Sequence, residues 1–132
     1  IFQADCASTL HQIAALEVAR KPPCLDKAEE LLQEALGLSM SIGQRAATLK
    51  QLARVAIRRG DLDDAERSLG LALELYIELY GENALHVNVA AVKFQQGALA
   101  FQRKQFEEAW IFYSECLKAR RHVYAYLQGN HL

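Results

Sequence analysis

The 132-residue sequence predicts an all-α fold, with six helices arranged as three hairpins that repeat along the chain. Three observations carry this. Apolar residues recur at helical spacing almost throughout, alternating strand patterns are all but missing, and one helical hairpin occurs more than once.

The second hairpin is the clearest. Leu49, Leu52, Ala53 and Ala56 follow the i, i+3, i+4, i+7 pattern of a helix with one buried face, and Leu62, Ala65, Leu69, Ala72, Leu73 and Tyr76 continue it. Between them lies Arg59-Gly60-Asp61, where Gly supplies a left-handed cap and Asp caps the next start.

The first hairpin repeats this order. Leu10-His11-Gln12-Ile13-Ala14 aligns with Leu49-Lys50-Gln51-Leu52-Ala53, and Leu25-Asp26-Lys27-Ala28-Glu29 with Leu62-Asp63-Asp64-Ala65-Glu66. Its turn, Lys21-Pro22-Pro23-Cys24, is longer, and two prolines suit a turn because neither fits a helix interior. The third hairpin runs through Gln95-Gln96-Gly97 and Phe106-Glu107-Glu108-Ala109 to Tyr113, Cys116 and Leu117. The marker alanines Ala28, Ala65 and Ala109 stand 37 and 44 residues apart. The hairpins span roughly 5–43, 45–82 and 86–126 of a single domain covering 1–132.

A large apolar residue, two acidic or polar residues, Ala, an aromatic or Leu four on and a small residue three further resemble the second half of a tetratricopeptide repeat. Phe106-Glu107-Glu108-Ala109 with Tyr113 and Cys116 is the best copy, and Gly97 falls where that family prefers a small residue. The resemblance implies a right-handed α-α superhelix, a solenoid of three hairpins. Leu79-Tyr80-Gly81-Glu82-Asn83-Ala84-Leu85-His86-Val87 resembles the link of a subgroup with repeats of about 42 residues, the kinesin-light-chain type. Val123-Tyr124 with Gln128-Gly129-Asn130-His131 looks like an altered second copy of it. The sequence departs from that subgroup in having Val87 where Pro usually follows the His, and in a short first link, Ser41-Ile42-Gly43-Gln44-Arg45.

Composition narrows the function. Hydrophobic residues make up 52% and charged residues 23%, a globular balance. The net charge of −1 argues against nucleic acid or a membrane surface as partner. The longest apolar stretch, 69–80, is broken by Glu74 and Glu78 and is short of the roughly 20 residues of a membrane span. No signal sequence is legible at Ile1-Phe2-Gln3-Ala4-Asp5, which reads as a cut inside a longer chain. Cys6, Cys24 and Cys116 lack metal or disulfide spacing and read as small buried apolar residues in a reducing, intracellular, cytoplasmic setting. His11, His86, His122 and His131 show no metal-ligand spacing, so no metal or cofactor is expected. With no phosphate loop and no nucleophile paired to a base, neither is an enzyme.

What remains is protein binding. The resemblance implies a concave groove lined by the first helix of each hairpin. In the second hairpin that side carries Lys50, Gln51, Arg54, Ile57 and Arg58, with Lys50, Arg54 and Arg58 spaced as one positive stripe. The third carries Phe94, Gln95, Ala98, Phe101 and Gln102, and the first His11, Gln12, Ala15 and Ala19. The expected site is therefore Lys50, Gln51, Arg54, Arg58, Phe94, Gln95, Phe101 and His11. Its partner would be a peptide with acidic residues flanking an apolar anchor. Two plainer readings stand beside this: the stripe as a solvated helix face, and Phe94 and Phe101 as core. Arg45 and Arg59 read as plain surface.

The chaperone-tail carboxylate clamp known in the family uses Asn within the groove. Here Asn83, Asn88 and Asn130 all lie outside it. An alternative role is self-association through exposed terminal faces, since a repeat stack without polar caps leaves apolar surface at its ends, and the last helix carries Trp110, Ile111, Phe112, Tyr113 and Leu117.

Overall fold

A computed structural model describes residues 2–38, 41–82 and 85–129. Six helices account for most of them: α1 (Phe2–Ala19), α2 (Leu25–Leu38), α3 (Ile42–Arg59), α4 (Leu62–Tyr80), α5 (Val87–Gln102) and α6 (Phe106–Leu127). Among the described residues there is no strand, and no helix is long and apolar enough to cross a membrane. The chain divides into two compact units, Ile1–Leu75 and Tyr76–Leu132.

In the first unit α1 packs along α2, and α2 along α3. The α2 helix buries Ala28, Leu31, Leu32 and Ala35 at the spacing of one helical face. These meet Ala14, Leu52 and Val55 in a core flanked by Leu10, Val18, Leu25, Leu36 and Leu49. The α4 helix adds Ala65, Leu69 and Ala72, all fully enclosed. The marker alanines Ala28 and Ala65 thus lie at the tightest points, where a larger side chain would push helices apart.

Two local details differ from the sequence reading. Ser41-Ile42-Gly43-Gln44-Arg45, read as a link, is the start of α3: Ser41 is the N-cap, its Oγ accepting the Gln44 N–H at 3.0 Å. An N-cap serine followed by helix-compatible residues starts the helix earlier than apolar periodicity alone suggests. Arg59 is no plain surface residue. Its guanidinium bridges Asp26 and, at 2.9 Å, Glu29, joining the end of α3 to the first turns of α2. The α3 end itself closes as read, with Gly60 at φ 85° and the Asp61 N–H returning to the Ala56 carbonyl at 2.9 Å.

In the second unit α5 and α6 form a closely packed pair. Val89, Ala90, Val92, Gly97, Leu99 and Ala100 of α5 are buried, as are Ala109, Cys116 and Ala119 of α6. Gly97 marks the closest approach, because a Cβ there would stand 2.8 Å from Cδ1 and Cε1 of Tyr113.

His86 caps α5, its Nδ1 accepting the Asn88 N–H at 3.1 Å, and its ring stacks on Tyr80 at 3.8 Å between centroids. The Asn88 side chain donates to the Tyr80 hydroxyl at 3.1 Å, completing the turn. Val123 and Tyr124, read as part of a second link, are helical residues of α6, which continues to Leu127. Asn83, Ala84, Asn130 and His131 of the two expected links lie outside the described residues. Of the cysteines only Cys116 is buried; Cys24 is half-buried and Cys6 exposed.

Candidate protein-binding cleft

The first unit holds a cleft of about 210 Å³ between α1 and α3. The α1 helix contributes His11, Ala14, Ala15, Val18 and Ala19; α2 closes the floor with Leu32; α3 contributes Gln51, Arg54, Val55 and Arg58. The arrangement follows from side-chain size. Three alanines on α1 leave room that longer residues would fill, and Arg54 and Arg58, one helical turn apart, reach the same rim.

The rim has one sign of charge. Arg54 Nη1 donates to Gln51 Oε1 at 3.2 Å, no acidic residue lines the cleft, and Arg58 makes no ion pair among the described residues. Arg54 and Arg58 are both exposed, so their charges face water over an apolar floor.

His11 is held from below. Thr48, fully buried, donates its hydroxyl to the Gln44 carbonyl at 2.9 Å, which leaves its oxygen to accept from His11 Nε2 at 2.7 Å. With the Thr48 hydroxyl proton directed at Gln44, the contact favours the tautomer protonated at Nε2. Partial burial pushes the His11 pKa below its usual value.

The expected stripe is split. Gln51, Arg54 and Arg58 line the cleft with His11, whereas Lys50 does not. Lys50 is half-buried, and burial followed by the nearby Arg54 charge lowers its pKa. Positions i and i+8 on a helix differ by about 80° in direction, enough to turn one member of a long stripe away.

Phe94, Gln95 and Phe101 lie on α5 in the second unit. Neither aromatic is core: Phe94 is 44% exposed and Phe101 60%. Phe94 leans on Tyr113 with centroids 5.5 Å apart, and the Arg120 guanidinium stands 4.9 Å over its ring. Phe101 meets Phe106 edge to face at 5.6 Å. Gln95 is half-buried and its Oε1 has no hydrogen-bond partner among the described residues. The sequence reading missed Ala14, Val18, Leu32 and Val55 as cleft lining, and Arg120 as a cap on Phe94. Ala14, Val18, Leu32 and Val55 are apolar, and residue spacing alone does not show which apolar residues border a void.

A family model described as tetratricopeptide repeat matches residues 44–122, from the first turn of α3 to near the end of α6. The match names the repeat and no subgroup of it. A sequence search of curated proteins finds no match. The match covers more than half of the sequence, and the six helices carry the buried marker alanines Ala28, Ala65 and Ala109 in the second helix of each pair; the chain belongs to the tetratricopeptide repeat family.

Proposed function

We propose that this chain is an interaction module that holds an acidic segment of another protein at the α1–α3 cleft, in an intracellular setting. Tetratricopeptide repeats are in general protein–protein interaction modules, and their typical role is a scaffold rather than a catalyst. The observation that carries the finer reading is the rim itself: Arg54 and Arg58 beside His11 and Gln51, over alanines and Leu32, with no carboxylate among the lining residues.

A cleft of about 210 Å³ is below the roughly 300–1,000 Å³ of small-molecule pockets. It suits one aliphatic or aromatic side chain of a longer ligand. The two guanidiniums would pair with carboxylates flanking that anchor, steering encounter more than supplying affinity. Lys50, next to Gln51 on α3, belongs to this proposal as a further contact residue, and Phe94, Gln95 and Phe101 on α5 are proposed as partner-contact residues of the second unit taken by itself.

The test is selection of a random peptide library on the chain and on an Arg54→Glu, Arg58→Glu variant. Enrichment of Asp and Glu around an apolar residue is expected on the former and lost on the latter, with unchanged circular dichroism. Enrichment of basic or unbiased peptides, or enrichment indifferent to the substitutions, refutes the assignment.

A further inference from the structure

The outward face of α6 carries Phe106, Trp110, Leu117 and Tyr124, exposed by 59%, 71%, 48% and 66%. Their spacing of four, seven and seven residues places all four within an arc of about 40° on the helix. The position of Trp110 is held by Glu66 in the preceding repeat, 44 residues earlier, so its exposure is not a demand of the repeat. Ser114 is a small residue beside this stripe, midway between Trp110 and Leu117.

Charge divides the same helix in two. Glu107, Glu108 and Glu115 precede Leu117, and Lys118, Arg120 and Arg121 follow it. A helix dipole favours acids in the first turn and bases in the last, but its effect does not reach Lys118 in mid-helix. Glu115 is engaged by Lys93 and Arg120 by Phe94, whereas Glu107, Lys118 and Arg121 have no ion pair among the described residues. These three flank the apolar stripe on one side.

We propose that a second copy of this chain packs antiparallel on this face, about a two-fold axis passing near Ser114. A face with an acidic half and a basic half complements itself only when the copies run in opposite directions. In that arrangement Trp110 packs against the partner's Leu117, Glu107 meets the partner's Arg121, and Ser114 lets the helices approach at the axis. The pairing uses α6 alone and is independent of the α1–α3 cleft.

Sedimentation velocity on the 132-residue chain tests it. A concentration-dependent monomer–dimer equilibrium is expected. Trp110→Glu, which installs the residue of the preceding repeat at an exposed position, should weaken it at least about tenfold without changing the helical circular dichroism. Glu107→Arg should also weaken it, and adding Arg121→Glu should restore it. Within one chain these two residues are about 21 Å apart along the helix, so restoration reports a contact between copies. A monomer at every concentration, leaving the face to a further repeat or another protein, overturns the proposal, as does a dimer indifferent to Trp110→Glu. Failure of the double charge reversal to restore pairing overturns the antiparallel arrangement.

Discussion

Replacing Gly97 by alanine tests whether residue size at the helix crossing determines how closely α5 and α6 pack. On an open helix the change is favourable by about 1 kcal/mol, because glycine loses more backbone freedom on folding. Here the added Cβ would lie 2.8 Å from Cδ1 and Cε1 of Tyr113 and 3.1 Å from Cγ. Carbon atoms rest at about 3.5–4.0 Å, so the Tyr113 ring or the helix must give way by more than half an ångström. Tyr113 also packs on Phe94, which shares α5 with Gly97, with ring centroids 5.5 Å apart. Overpacking of this kind costs about 1–3 kcal/mol, leaving Gly97→Ala destabilising by about 1 kcal/mol net.

The other two hairpins show what relieves the clash. At the positions of Gly97 and Tyr113 the second carries Ala53 and Leu69, and the first Ala14 and Leu32. The smallest residue faces the largest, and alanine faces leucine. Tyr113→Leu alone should destabilise by leaving a void, and the two changes together should couple favourably by at least about 1 kcal/mol. Thermal and urea unfolding of the four proteins measure this, with a fall of about 3–5 °C expected for Gly97→Ala. A Gly97→Ala protein more stable than its parent, with additive effects in the double variant, would refute the argument.

Other consequences are equally measurable. Ser41→Ala removes the side-chain acceptor of the Gln44 N–H and should cost about 1 kcal/mol in chemical denaturation, with α3 fraying first in hydrogen exchange. His11 has a pKa below its usual 6.5 in the folded chain, so on acidification the unfolded chain takes up the proton first. Stability should hold above the unfolded value, decline as pH falls below it, and level off once the folded-state value is passed. His11→Gln should flatten the melting-temperature profile between pH 8 and 5, and an unchanged slope would show that other groups govern it. Peptide selection with Arg54→Glu, Arg58→Glu and sedimentation of Trp110→Glu test two separate faces, so either can fail without the other.

Helical periodicity is a local property. Apolar residues three and four apart must lie on one side of a helix whatever surrounds it, so the six helices and their buried alanines could be read from the chain alone. The Gly60 turn was legible for the same reason: it acts within a few residues of itself. The repeat made the hairpins legible too, since three copies of one pattern imply one local solution.

Other features depend on how one helix is set against another, and residue spacing carries little information about that. Lys50 and Arg58 belong to one periodic stripe, yet only Arg58 lines the cleft. Arg59 looked like surface until α2 brought Asp26 and Glu29, about thirty residues earlier, to its guanidinium. Phe94 and Phe101 have the apolarity of core residues but are exposed, while Tyr113 takes the close-packed place against Gly97. The amino-acid order by itself showed six helices and the Gly60 turn, but not where α3 begins or α6 ends. The tertiary packing decided which cations were left unpaired at the cleft, because pairing depends on distances between segments remote in sequence.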